Sequence, residues 1–326
     1  MHIVAKLSLL CPALAATACI ATARAADAYP SRPLRLVVGY AAGGGADTAA
    51  RVVAQALGND LGQAAVVENK PGGSGVIAVG SVAKAPADGY TLLVISAGEL
   101  VQPLLRDDLS YDFQKDLVPV AFLGISPFVL VVHPAVPART VAELVAYGKS
   151  APGKLNFGSS GVGTSPHLAG ELFSMMSGTP MAHIPYKGGA QAANATMSGE
   201  IQVSFPAATS ALPLVQAGKV RALAVTTLQR TAFMPELPTL DELGLKGFHR
   251  SSWYAVMAPA GTPPATIATL NEAVNRVLKD AGVRRALEGQ GIEPGGGSAA
   301  ALGDMIRTEM KQNEQIIEKA GLKKAS

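Results

Sequence analysis

Four stretches of this 326-residue chain place glycines where an apolar run meets a helical pattern: GYAAGGGAD (39–47), ENKPGGSGVIA (68–78), NFGSSGVGTSPHLAG (156–170) and IPYKGGAQAA (184–193). Glycine inside a regular element costs about 0.5–1 kcal/mol relative to alanine, so bare backbone at these junctions points to a use. The N-terminus of a helix leaves N–H groups unpaired and carries about half a positive charge. Several such ends meeting at one crevice would bind an anion without any lysine or arginine. In open α/β sheets the carboxyl ends of strands are where ligands sit. Each loop taken alone also reads as a tight turn, and Asp47 reads as a helix N-cap as readily as a ligand contact.

Other chemistry finds little support. Gly43-x-Gly45 is followed by Thr48 instead of the third glycine of a dinucleotide fingerprint. Gly148-Lys149-Ser150 resembles the end of a phosphate loop, but Glu143 stands where its first glycine belongs. Neither Gly158-Ser159-Ser160-Gly161 nor Gly72-Gly73-Ser74-Gly75 completes a nucleophile elbow. A hydrolase with Ser159 or Ser160 as nucleophile stays open at this level, because catalytic triads are spatial and not sequential. His133, His167, His183 and His249 lack metal-ligand spacing. His167, one residue past Pro166 in the first turn of a helix, reads as a structural or pocket-lining group. No metal and no cofactor is expected.

The elements that must carry these loops follow from periodicity. Strands are predicted at 34–39, 65–68, 91–96, 118–123, 128–132, 155–158, 182–185, 201–205, 221–226 and 253–258. ISPFVLVV (125–132) reads as one buried strand. Helices are predicted at 47–57, 75–84, 140–149, 165–177, 188–198, 263–280, 282–289 and 298–319. Thr262 before Pro263-Pro264, Ser165 before Pro166, and Ser298 are placed as N-caps. Near-continuous apolar strands with helical crossovers argue for mostly parallel, mixed sheets covered on both faces. Without a low-complexity linker, two domains would be joined by ordered crossings, best placed at 124–131 and 247–253. The first domain is then discontinuous: residues 26–126 plus 250–326 form one lobe and 127–249 the other.

Residues 1–25 form a separate object. Lys6 precedes an uncharged, mostly apolar run from Leu7 to Ala23, and Ala23-Arg24-Ala25 has the small-x-small form of a cleavage site. This is read as a secretory signal peptide cut near Ala25. The run is short and alanine-rich for a membrane anchor, and a lipoprotein signal at Cys19 lacks its leading leucine. Removal takes both cysteines, Cys11 and Cys19, so disulfide and thiol chemistry are excluded. It also takes Lys6 and Arg24, lowering the net charge from +3 to +1. No basic field suggests nucleic acid.

The ordered set YPSRPLRLVVGYAAGGGAD, VVENKPGGSG, ADGYTLL, DLVPVA, NFGSSGVGTSPH, IPYKGGAQA, AGKVRALAVT, PTLDELGLKGF and SSWYAVMAPAGTPP resembles the Bug-type periplasmic solute receptors, the substrate-binding proteins of tripartite tricarboxylate transporters. The resemblance covers essentially all of the chain after residue 25. It implies a two-lobed, type II-like Venus-flytrap α/β fold in the periplasm, a monomer, no enzymatic activity, and a small carboxylate held between the lobes. It also implies delivery to membrane transporter subunits, with an orphan sensor for a signalling system as the alternative. In that family the first two glycine loops hold a carboxylate, partly through bridging waters. Carried onto matching positions, this implies Tyr40, Ala42, Gly44 and Asp47 in the first loop, Gly73, Ser74 and Gly75 in the second, and Ser96 after the third strand. Ser159, Ser160, Gly163, Thr164 and His167 come from the other lobe. Two departures stand out. Phe205-Pro206-Ala207 replaces the family's FDN, removing an acid and an amide. Glu99 stands where a neutral residue or histidine is common; it either faces the cleft, pairing with a ligand cation or disfavouring a second carboxylate, or is a solvated turn residue. Lys187 reads either as a point charge at the cleft or as a solvated lysine.

Overall fold

The computed structural model describes residues 29–186 and 188–322. The leader, its two cysteines and Lys187 lie outside the described residues. The strands are β1 (Leu34–Val38), β2 (Ala65–Asn69), β3 (Thr91–Ser96), β4 (Leu117–Pro127), β5 (Val129–Val132), β6 (Asn156–Ser159), β7 (Ala182–Pro185), β8 (Val203–Ser204), β9 (Arg221–Val225), β10 (Ser251–Pro259) and β11 (Glu293–Pro294). The helices are α1 (Gly45–Leu61), α2 (Val76–Ala83), α3 (Gln102–Leu105), α4 (Phe113–Asp116), α5 (Val141–Ser150), α6 (Ser165–Ser177), α7 (Gly189–Ser198), α8 (Ala208–Gln216), α9 (Pro264–Val277), α10 (Ala281–Glu288) and α11 (Ala299–Lys319).

Two sheets result, in the orders β11-β4-β10-β3-β1-β2 and β7-β6-β8-β5-β9. In the first, β1 to β4 share one direction and β10 and β11 oppose them. In the second, β5 alone opposes the rest. Both sheets are therefore mixed: four of six strands share one direction in the first and four of five in the second, while three of the five neighbouring pairs in the first and two of the four in the second are antiparallel. Alternation along each strand feeds two cores per sheet. Leu92 and Val94 of β3, with Tyr254, Val256 and Ala258 of β10, join α1 and α9 on one face. Leu93 and Ile95, with Trp253, Ala255 and Met257, join α2 and α11 on the other. In β5, Leu130 and Val132 face one core and Val129 and Val131 its opposite.

The chain leaves the first sheet at Pro127 and enters the second at Val129, so the expected single strand at 125–132 breaks at Phe128. The return lies beside it: Ser251 is in register with Pro127, Thr226 N donates to Phe128 O and Arg250 N to Thr226 O. The two passages between sheets are thus hydrogen-bonded neighbours.

Several local expectations change. Helix α8 is not among the expected helices; its Pro213 falls late in the helix, where its carbonyl still accepts from Ala217 N. α3, α4 and β11 are too short to show a period. Ser298 caps α11, accepting from Ala301 N. Thr262 does not cap α9: its hydroxyl donates to Pro259 O and Pro263 holds the cap position. Thr164, not Ser165, is the N-cap residue of α6.

Candidate functional site

The first glycine loop turns from β1 into α1, with Gly44 as the N-cap residue. Asp47 lies at the third helical position and is buried. Its Oδ2 accepts from Gly43 N (2.9 Å) and Arg51 Nε (3.0 Å), and its Oδ1 accepts from Asn69 Nδ2 (2.8 Å). Asn69 Nδ2 also reaches Tyr40 O at 3.0 Å. Burial pushes the Asp47 carboxyl up, but these hydrogen bonds outweigh it and hold the group below its usual range. Asp47 therefore fastens the loop to the end of β2. Gly45 is where bare backbone is required: a Cβ there would overlap the Tyr254 hydroxyl.

The second loop is more constrained. Gly72, Gly73, Ser74 and Gly75 all have positive φ, at 139°, 56°, 54° and 93°. Ser74 is the one described non-glycine residue in that region. A side-chain-bearing residue held there stores on the order of 1 kcal/mol of strain, a pattern that clusters at ligand sites. A Cβ on Gly75 would lie 2.7 Å from Glu99 Cγ.

That glutamate is neither in the cleft nor solvated. Glu99 is fully buried, at 0% exposure, in a capping box with Ser96 at the turn after β3. Its Oε2 accepts from Ser96 Oγ (2.7 Å), Ser96 N (3.0 Å) and the Tyr40 hydroxyl (3.0 Å). Its Oε1 is buried without a partner. Burial pushes the carboxyl up to about 7, against the opposing pull of the Ser96 and Tyr40 hydrogen bonds.

In the second lobe, β6 ends on Ser159. Its hydroxyl lies 2.7 Å from His183 Nε2, donates to Gly161 O and accepts from Gly161 N. Downstream in the same loop, Gly163 N donates to His167 Nδ1 at 3.0 Å, so His167 carries its proton on Nε2, facing Glu171 Oε1 at 3.4 Å. His167 is buried at 1% exposure. The Ser159–His183 pair has the spacing of a nucleophile and base, but the serine is itself 1% exposed. Among the described residues no group of three His, Cys, Asp or Glu could hold a metal ion.

Between the lobes lies a cavity of about 590 Å³, within the size range of small-molecule sites. The structure brings Tyr40, Ser74, Ser96, Ser159, Ser160, Gly163, Thr164 and Phe205 together on its walls. Ala42, Gly44, Asp47, Gly73, Gly75, Glu99 and His167 are not on the lining. Of these, Asp47, Glu99 and His167 brace residues of the loops from behind. Sequence reasoning missed Ser126 and Phe128 on one passage between the sheets and Ser252 and Tyr254 on the other. Strand alternation puts Ser252 and Tyr254 on the face of β10 opposite Trp253, and was the available signal. Ser210, Pro213 and Leu214 of the unexpected α8 complete the far wall. No described residue on the lining carries a charged side chain.

Among the described residues, no helix is long and apolar enough to cross a membrane. Residues 49–322 match the family model described as "Tripartite tricarboxylate transporter family receptor". The chain is similar to Protein BugT of Bordetella pertussis, 36% identical over 310 residues that cover 94% of this chain and 95% of BugT. It is similar in structure to Rpa4515 of R. palustris, solved with adipate (TM-score 0.78, 35% identity, 91% of this chain and 100% of that one). It is also similar to MatC of Rhodopseudomonas palustris, solved with bound malate (TM-score 0.73, 30% identity, 89% of this chain and 100% of that one). The matched family is one of receptors, not enzymes, and the chain is also similar in structure to the periplasmic binding protein BugD (TM-score 0.75, 32% identity, 91% of this chain and 100% of that one). By family model, by identity along nearly its whole length and by fold, the chain belongs to the tripartite tricarboxylate transporter receptor family.

Proposed function

We propose that this protein captures a small carboxylate between two lobes in the periplasm and delivers it to a membrane transporter of the tripartite tricarboxylate type. One lobe comprises residues 26–126 and 250–326, the other 127–249. The leader at 1–25 directs export and is removed near Ala25, and the receptor works as a monomer. The observation that carries the reading is the cavity itself. Both lobes line it with glycine-loop backbone and hydroxyls, and its described lining is uncharged. The adipate and malate held by the two R. palustris receptors support the same ligand class.

The mechanism is binding. The ligand's carboxylate exchanges its water shell for backbone N–H groups and for the hydroxyls of Ser74 and Ser160. Each charge-assisted hydrogen bond contributes roughly 1.5–3 kcal/mol. Contacts from both lobes favour the closed form, because a ligand shifts an equilibrium only by its differential affinity for the two states. The closed form is then the one that membrane partners read. A site held by amides and hydroxyls, without a guanidinium clamp, also suits a receptor that must release its cargo.

A thermal-shift screen of mono- and dicarboxylates against the chain beginning near Ala26 tests the proposal. A carboxylate at about 100 times its dissociation constant should add about 2.7 kcal/mol of stability, with no effect from sugars or metal cations. A screen in which no carboxylate raises the midpoint would sink it.

A further inference from the structure

Tyr40 and Ser96 line the cavity, and both hydroxyls lie against the one buried oxygen Oε2 of Glu99, at 3.0 and 2.7 Å. A hydroxyl has one proton to donate. While Glu99 is ionised, both protons point backwards into the protein. The cavity then meets two acceptor oxygens backed by a buried negative charge. A carboxylate, which only accepts, finds no donor there. A proton on Glu99 reverses this: the acid donates to one of the two hydroxyl oxygens, and that hydroxyl is freed to donate into the cavity.

We infer that Glu99 is a specificity-determining residue acting through Tyr40 and Ser96: it sets whether this wall offers donors or acceptors, and capture of a carboxylate there is coupled to uptake of one proton from solvent by Glu99. The inference rests on the carboxylate reading proposed above. The surroundings suit it. The groups facing Glu99 are Tyr40 after β1, Ser96 at the end of β3, Tyr111 ahead of α4, Tyr254 on β10 and the backbone at Gly75. Arg106, whose charge acts on Tyr111, is engaged in a two-pronged pair with Asp108. The partnerless Oε1 leaves the ionised carboxylate short of the donors that would stabilise its charge, which favours a proton on Oε2, where the two hydroxyl oxygens can accept it. Burial pushes the carboxyl up to about 7, so the proton is gained or lost near neutral pH.

The test is calorimetric titration of the wild-type protein with adipate, malate and hexanoate, near pH 6 and near pH 8, each in two buffers of different ionisation enthalpy. The probes that bind should do so about tenfold more tightly at the lower pH, with close to one proton taken up per ligand at the higher. Glu99→Gln, a neutral isostere, should abolish the uptake and keep the low-pH affinity at both values. If that variant fails to fold, the buffer comparison on the wild type still decides. Binding without proton uptake, or binding that tightens as pH rises, overturns the role of Glu99 while leaving the carboxylate reading intact. No binding by any probe at either pH removes both.

Discussion

The rings of His167 and His183 stack with centroids 3.8 Å apart, and each holds a different end of the same cavity-lining loop. His183 meets the Ser159 hydroxyl, and His167 accepts from Gly163 N. Two imidazoles this close cannot both be cationic without repulsion. Burial, with His167 as the second cause, depresses His183 to about 4 from the ordinary imidazole value of 6.5. The sign follows directly: the unfolded chain takes a proton near 6.5 that the folded chain refuses until about 4, so this site removes stability as pH falls through that window. Wild type minus His183→Gln should isolate the effect. We expect a difference on the order of 1 kcal/mol between pH 7 and pH 4.5, after allowing for the partial exposure of the ring. Parallel stability–pH curves for the two proteins would refute it.

The glycine loops make a sharper steric prediction. Gly44 has room for a Cβ, whose nearest neighbour would be Ala41 O at 3.6 Å, whereas a side chain on Gly45 would drive the Tyr254 hydroxyl from its place on the wall. Gly45→Val should therefore weaken carboxylate binding at least tenfold by calorimetry. Gly44→Ala should leave it within about threefold, an effect under 0.7 kcal/mol. Equal losses from the two would show that the close approach to Tyr254 plays no part.

Much of this was legible in the residues. Strands buried on both faces are continuous apolar runs, so β3 and β5 stand within a residue of where the periodicity places them. The four glycine loops advertised themselves by composition. The site was only half readable because its floor is assembled by distance. Ser126, Phe128, Ser252 and Tyr254 come from two passages more than a hundred residues apart in sequence, and nothing local in either declares that the other lies beside it. Glu99 was misread for a different reason. Ser96-x-x-Glu99 has the spacing of a capping box, which turns the glutamate back onto its own turn. Reading the position against a family pattern hid that local geometry. Reading Asp47 as the cap starts the helix three residues too late, since the glycines extend α1 back to Gly45 with Gly44 as its cap.

Buried Arg250 carries a prediction of its own. Its Nη1 donates to Asn313 Oδ1 at 2.7 Å and lies 3.5 Å from Glu309 Oε1, beside the return passage between the sheets. Burial raises the Glu309 carboxyl above its usual range, with Arg250 pulling the other way. Arg250→Met strands that carboxylate, so the variant should lose about 3–5 kcal/mol at pH 8. It should recover part of that near pH 5, where Glu309 can take a proton and become neutral. Chemical denaturation of both proteins at the two pH values measures it, and a penalty that grows on acidification would contradict the assignment.

A seam of apolar groups joins the lobes beside the cavity. Val101 and Leu105 from the first lobe, Leu168 and Leu172 from α6, and Ile316 and Ile317 from α11 form one cluster. The loop it supports touches it directly, since a Cβ on Gly163 would lie 2.7 Å from Leu105 Cδ1. Opening the lobes parts the α6 side chains from those of the first lobe and exposes them to water, so part of what the seam contributes exists only in the closed form. Leu168→Ala removes a fully buried side chain worth about 2–4 kcal/mol of packing. Whatever fraction belongs to closure appears as lost affinity, expected at ten- to hundredfold, or about 1.4–2.8 kcal/mol. Small-angle scattering of the ligand-free variant should show a larger radius of gyration than the wild type. If affinity and radius both stayed at wild-type values while the unfolding midpoint fell, the seam would serve the stability of the fold alone and closure would draw on the ligand's contacts only.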